Sequence, residues 1–251
     1  MVTPARALDH RDAVMGVVVP ARNEQQRIEA CLTALLVAQE FSRLDTNGPA
    51  AVQIVVVADR CTDRTVEIVG GFPGVAVIRS DRGRVGAARA AGVAWLLRSP
   101  RVCWIASTDA DSTVPPDWLI TQWQHARAGT DLLLGTVRLT IEEELPATTV
   151  RQWERQHDLS DGHRHVHGAN LGVRAATYRK VGGFADVAVH EDLALVQAVQ
   201  RAGGVVVSTA ASPVHTSARV TGRAPGGLSG YLRELLAESG AAPPERCAPT
   251  T

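Results

Sequence analysis

The chain has 251 residues, 45% of them hydrophobic, 4% aromatic and 21% charged, and its 26 Lys+Arg balance its 26 Asp+Glu. That is the profile of a soluble globular protein with one large domain, or one domain with an appendage. A nucleic-acid binder needs a basic surplus against phosphate, a membrane helix an apolar run of about 20 residues and an exported protein an apolar leader; with none of these, the expectation is a cytoplasmic protein that binds no nucleic acid.

The first half alternates short β-branched runs with helical patterns, the signature of strand-helix-strand units around a mostly parallel sheet. Strands are expected over residues 14–19, 52–57, 75–78 and 102–107, each apolar enough for burial on both faces. Helices are expected over 24–39, where Ile28, Leu32, Leu35 and Leu36 share a face, over 63–69, stopped by Gly70 and Gly71, and over the alanine-rich 85–98. Past residue 108 the regularity loosens. Pro115-Pro116 open a helix through 126, residues 132–139 and 205–208 read as strands, 147–158 and 191–202 as helices, and 228–236 as an amphipathic segment. Residues 241–251, with Pro243, Pro244 and Pro249, are expected to form a disordered tail.

Other features have plain structural readings. Lys180 is the only lysine, so the arginine excess reads as coding bias rather than phosphate recognition. Cys31, Cys61, Cys103 and Cys247 make no C-x-x-C pair and read as reduced thiols. Trp118, Trp123 and Trp153 are assigned to helix packing ahead of sugar stacking.

In a doubly wound sheet, ligands bind beyond the carboxyl ends of the strands, and the residues there are polar. The first strand runs into Pro20-Ala21-Arg22-Asn23-Glu24, the second into Ala58-Asp59-Arg60-Cys61-Thr62-Asp63, the third into Asp81-Arg82-Gly83-Arg84 and the fourth into Thr108-Asp109-Ala110-Asp111. Carboxylates at i and i+2 on extended backbone point the same way, so Asp109 and Asp111 can hold Mg²⁺ or Mn²⁺ between hard oxygen donors. Asp63 reads as a helix cap; Asp59 has either a ligand-reading or a turn role. Gly83-Arg84-Val85-Gly86 opens a helix and can receive phosphate. His163, His165 and His167 alternate, and either shape a pocket or are exposed, with zinc the lesser reading.

Together these segments resemble the family 2 glycosyltransferases of GT-A fold, α/β enzymes with a mostly parallel central sheet that move a sugar from a nucleotide donor. Val17-Val18-Val19-Pro20-Ala21-Arg22-Asn23-Glu24 is similar to the family's opening strand, and Val55 to Asp63 to its second strand with a D-G-S-T-D type loop. Arg89 in Gly86-Ala87-Ala88-Arg89-Ala90-Ala91-Gly92 resembles the A-A-R-N-x-G helix, Asp109-Ala110-Asp111 the D-x-D, Gly168-Ala169-Asn170 with Val181-Gly182-Gly183-Phe184 the acceptor-side segment, and Glu191-Asp192 the E-D pair. Ala58, Arg60 and Cys61 depart from the loop pattern.

The resemblance implies one GT-A domain over residues 1–240, with a nucleotide-binding half at about 12–125 and an acceptor-binding half at about 126–240. It implies that Pro20, Ala21, Arg22, Glu24, Asp59, Arg84 and Asp109 meet the donor nucleotide, and that Asp111, Asp109 and His215 hold Mg²⁺ or Mn²⁺. Gly168, Ala169 and Asn170 would lie on the acceptor side, with Asp192 as general base and Glu191 second. The implied reaction is metal-dependent, inverting transfer from a UDP-sugar, with a GDP-sugar as the lesser option, to a small-molecule or lipid-linked acceptor. Peripheral membrane contact would come through Arg219, Arg223 and Arg233 with Leu228, Leu232, Leu235 and Leu236, although core packing is the simpler account of that segment. The alternatives are a catalytically silent nucleotide-sugar binder and, less favoured, a nucleotidyltransferase, which should carry a glycine-rich, lysine-containing signature after the first strand.

Overall fold

The computed structural model describes residues 12–140, 145–157, 159–220 and 227–238. In chain order the elements begin with β1 (Val14–Ala21), α1 (Ile28–Leu44), β2 (Ala51–Asp59), α2 (Thr65–Gly70), β3 (Val75–Ser80), α3 (Val85–Leu96) and β4 (Val102–Ser107). There follow β5 (Ser112–Thr113), α4 (Trp118–Arg127), β6 (Leu132–Thr140), α5 (Ala147–Gln156), β7 (Leu171–Arg174), α6 (Ala175–Lys180), α7 (Glu191–Arg201), β8 (Val206–Ser217) and α8 (Leu228–Glu238).

The strands form one mixed sheet in the order β3-β2-β1-β4-β7-β6-β8-β5. The first four are parallel, as the βαβ pattern requires. β7 runs antiparallel to both β4 and β6, while β6 and β8 are parallel. The strand period of two sorts β1 between two cores. Met15, Val17 and Val19 face α1, α4, α5 and α8, and Val14 and Val18 face α3, α6 and α7. Trp104, Trp118, Trp123 and Trp153 are all fully buried, each removing apolar surface worth roughly 4–6 kcal/mol. The helix-packing reading of the last three therefore holds.

Two glycines set close approaches. A Cβ at Gly92 would stand 2.4 Å from Val18 Cγ2 and 2.8 Å from Val57 Cγ2, so α3 lies directly on the sheet. A Cβ at Gly86 would stand 2.8 Å from Glu191 Cβ, which brings α3 against the start of α7.

The structure corrects the sequence reading at several points. β3 is an edge strand with Val77 38% exposed, not a strand buried on both faces. β7 and α6 were not anticipated, because four residues containing Gly172 carry too little periodicity to announce a strand. β8 continues past residue 208 to Ser217 through Pro213, which cannot donate to a ladder. Its register against β6 shifts between Gly135 and Val137, and Ser212 takes φ 56°. The amphipathic segment of α8 turns its leucines inward: Leu232, Leu235 and Leu236 are buried in the core, and Arg233 donates to the Val220 carbonyl at 3.0 Å. Leu228 is half-buried against the same core, and Arg223 lies outside the described residues, as does the expected tail. Among the described residues no helix is long and apolar enough to cross a membrane, and Cys31, Cys61 and Cys103 are free thiols.

Candidate active site

The carboxyl ends of β1, β2 and β4 open onto a cavity of about 730 Å³. Its wall is built from the turns that follow each strand. The loop after β4 is pinned on two sides: Cys31 Sγ donates to the Asp109 carbonyl at 3.4 Å, and the Ser217 N–H to the Asp111 carbonyl at 3.2 Å. Asp59, buried at the end of β2, accepts the Gly83 N–H at 3.1 Å and so ties the β3 turn to the cavity. Arg60 sits at φ 53°, in the left-handed region that favours glycine, and its Nε donates to the Asp81 carbonyl at 2.6 Å. Asp63 accepts the Thr65 N–H at 3.0 Å from the position before Arg64, the N-cap of α2, rather than as the cap itself.

Two buried arginines organise the carboxylates. Arg89 projects from α3 with its side chain 4% exposed; it donates to Ser107 Oγ at 3.1 Å and to Asp109 Oδ1 at 2.5 Å, and it pairs with Glu191. Burial works against its charge, but Asp109, Glu191 and Asp192 outweigh that and hold its pKa above the usual arginine value. Burial pushes Glu191 up, while Arg89 opposes the shift. Arg219, just beyond β8, binds Glu24 through two hydrogen bonds of 2.8 and 2.7 Å, and its Nη2 also lies 2.8 Å from Asp111 Oδ2. Burial nonetheless pushes the Asp111 carboxyl up to about 6, Arg219 opposing and Asp109 adding to the rise.

Asp192 has a different environment. Its side chain borders the cavity, its Oδ2 accepts the Gly168 N–H at 2.9 Å and its Oδ1 accepts the Leu193 N–H at 2.8 Å. His190, which precedes the pair, adopts φ 63°, a strained conformation of the kind found where a backbone must aim a side chain. Gly168 has no room for a side chain, since a Cβ there would stand 2.5 Å from Arg89 Nη2.

The histidines form a stack rather than a strand face. His165 lies 4.7 Å from His157 and 6.0 Å from His167 between ring centroids, and His157 itself stacks on Trp153 at 4.0 Å. Burial, with the neighbouring imidazoles adding, brings His167 down to about 3. His157, His165 and His167, with Tyr231 of α8, line another stretch of the same cavity.

Most of the expected site residues meet at this cavity. Pro20, Ala21, Arg22, Glu24, Asp59 and Arg84 line it, and so do Asp109, Asp111, Gly168, Ala169, Glu191 and Asp192. Two do not. Asn170 is a buried joint: its Oδ1 accepts from Trp118 Nε1 at 2.8 Å, and its Nδ2 donates to the Thr136 carbonyl at 2.9 Å and the Ser212 carbonyl at 3.2 Å. His215 is exposed on β8, while its neighbour Thr216 turns toward the cavity. The sequence reading missed Arg89 and Arg219 as site residues. Arg89 carried a signal, a charge on the buried face of α3 beside Ala88, Gly92 and Val93; Arg219 carried none.

The residues present do not fit the divalent cation that the D-x-D implied. Asp109 Oδ1 is taken by Arg89, both Glu24 oxygens and Asp111 Oδ2 by Arg219, and His215 is turned away. Among the described residues no group of three His, Cys, Asp or Glu side chains is placed to hold a metal ion. Arg219 therefore already occupies the Asp111 and Glu24 oxygens that such a cation would need.

An α/β sheet with acidic turns converging on a cavity at its strand ends is the architecture of the GT-A fold. Residues 16–181 match the model of glycosyl transferase family 2, more than half of the chain, and the protein belongs to that family. The match ends before Glu191 and Asp192. No curated protein matches the chain. Among solved structures it is similar to S. aureus TarS 1–349 in complex with UDP-GlcNAc, with 15% identity over 89% of this chain and 66% of that one, and a TM-score of 0.65. The complex of the same TarS fragment with UDP gives 16% identity over 89% and 70% of the two chains, with a TM-score of 0.61. The longer S. aureus TarS structure matches at 15% identity over 81% of this chain and 36% of that one, with a TM-score of 0.61. The chain thus spans about two thirds of the TarS 1–349 fragment and about a third of the longer one.

Proposed function

We propose that the protein transfers a sugar from a nucleotide-sugar, a UDP-sugar ahead of a GDP-sugar, to a hydroxyl of a small-molecule or lipid-linked acceptor, with inversion at the anomeric carbon and in the cytoplasm. One observation carries this reading: a single cavity joins Asp59 and the Asp109–Asp111 loop at the strand ends to Asp192 at the start of α7. The nucleotide lies against Pro20, Ala21, Arg22 and Asp59, in the half at about 12–125, with Arg84 beside it. The acceptor enters from the half at about 126–240, past Gly168, Ala169 and the histidine stack. The UDP-GlcNAc and UDP complexes of S. aureus TarS support the choice of UDP.

In this reading the acceptor oxygen attacks the anomeric carbon, the bond from that carbon to the diphosphate breaks, and Asp192 takes the hydroxyl proton. The Gly168 N–H orients its carboxylate for that task. Glu191 is a poorer base because Arg89 holds it in a buried ion pair, which makes it a positioning residue. The domain halves are not fully separate in their roles, since Arg219 reaches back from the second to Glu24 and Asp111 of the first.

Calorimetry with UDP and GDP, paired with a donor-turnover assay, tests the proposal. Native protein is expected to bind UDP, and Asp192→Asn to retain that affinity while turnover falls by about 10²–10⁴-fold. Failure of both nucleotides to bind, or an Asp192→Asn variant as active as the native protein, would overturn it.

A further inference from the structure

The carboxylates of the D-x-D each meet an arginine here, Asp109 meeting Arg89 and Asp111 meeting Arg219. Arg219 is 14% exposed in its side chain, Glu24 7% and Asp111 15%, so the three form a nearly closed cluster at the edge of the donor cavity. The arrangement is built rather than incidental. Glu24 receives a two-pronged contact, the geometry in which a planar guanidinium matches a carboxylate best. A second anchor comes from the backbone, where the Ser217 N–H donates to the Asp111 carbonyl and fixes the end of β8 against the loop carrying the aspartate. A metal that took Asp111 Oδ2 and the Glu24 oxygens would displace Arg219 from them.

We propose that this protein binds the donor diphosphate without a divalent metal, and that Arg219, held by Glu24 and Asp111, is the cation the diphosphate meets. This rests on the donor reading given above. The chemistry suits the role: guanidinium keeps its charge at every accessible pH and is the side chain best matched to phosphate oxygens. Asp111 and Glu24 then act as positioning residues that aim Arg219, and negative charge developing on the leaving diphosphate is met by a group already fixed in place.

The test is calorimetry of UDP binding to metal-stripped protein, once in EDTA and once with Mn²⁺, together with Mn²⁺ binding to the protein alone, followed by electron paramagnetic resonance. The native protein is expected to bind UDP in EDTA within about threefold of its affinity in Mn²⁺, and to leave Mn²⁺ free in solution. Arg219→Met is expected to lose about 10–100-fold in UDP affinity and to gain Mn²⁺ binding, because Glu24 and Asp111 become available together. Arg219→Lys keeps the charge but not the fork; it is expected to fall between the two and guards against a folding defect in the methionine variant. UDP binding that vanishes in EDTA and is unchanged in both Arg219 variants would overturn the inference and leave the donor reading intact. Absence of UDP and GDP binding under every condition would overturn both.

Discussion

Arg89 is where stability and the site are joined most tightly, and Arg89→Met tests that joint. The substitution keeps a long unbranched side chain but removes the charge facing Glu191, whose side chain is 5% exposed, and Asp109, which is 33% exposed. Removing one partner of a buried pair strands the other charge and costs about 3–5 kcal/mol. For a chain of this size that corresponds to a fall in Tm on the order of 10 °C. The loss should depend on pH. Burial already pushes Glu191 up, with Arg89 as the chief opposing influence, so its folded-state pKa in the variant stands further above the unfolded value. Stability relative to native protein is then recovered at acid pH and lost as pH rises through that folded-state pKa. Urea unfolding at pH 5 and pH 8 should show a small deficit at the first and the full one at the second. The double variant Arg89→Met/Glu191→Leu replaces the pair by apolar groups and should regain most of the loss, giving a coupling of about 2–4 kcal/mol in the cycle. A single-variant loss below about 1 kcal/mol, equal at both pH values, would refute the view that this ion pair holds α3, the Asp109 loop and α7 together.

Gly168→Ala should act through the same arginine, because the new methyl falls on the guanidinium; a stability loss of about 1–3 kcal/mol and a drop in turnover are expected, and unchanged kinetics would count against the contact. Gly92→Ala should cost a similar amount through Val18 and Val57, as measured by urea midpoint, because neither the strands nor α3 can retreat without opening the core. The His167 ring, brought down to about 3 in the fold, titrates near 6.5 when unfolded. Stability should therefore fall as pH drops from about 6.5 toward 3, by up to about 1.4 kcal/mol per pH unit. His167→Gln should flatten that slope in urea midpoints measured from pH 7 to pH 4, and an unaltered slope would show that His167 is not its source.

How much of this was legible in the sequence varies with the kind of signal. The parallel strands β1, β2 and β4 announced themselves because burial on both faces demands unbroken apolar runs, and Val14 to Val19 and Val52 to Val57 are nearly that. β7 and the second part of β8 did not, since their strand character comes from pairing with β4 and β6 rather than from their own residues. The acidic turns were placed at the strand ends by topology and Asp192 by its motif, and Asp59, Asp109, Asp111 and Asp192 do share one cavity. Asn170 and His215 were carried to the site by motif, yet one became a buried structural joint and the other faces away along a strand whose side chains alternate.

The sequence by itself thus determined the βαβ frame, the family and the acidic turns, because these depend on local periodicity and on short motifs. The tertiary structure alone decided which charges meet. Arg89 lies 102 residues from Glu191, and Arg219 lies 195 from Glu24; no local pattern encodes such partners. Burial is the physical reason they matter: a carboxylate removed from water must find a counter-charge or a proton, and only the packed sheet and helices fix which arginine is within reach.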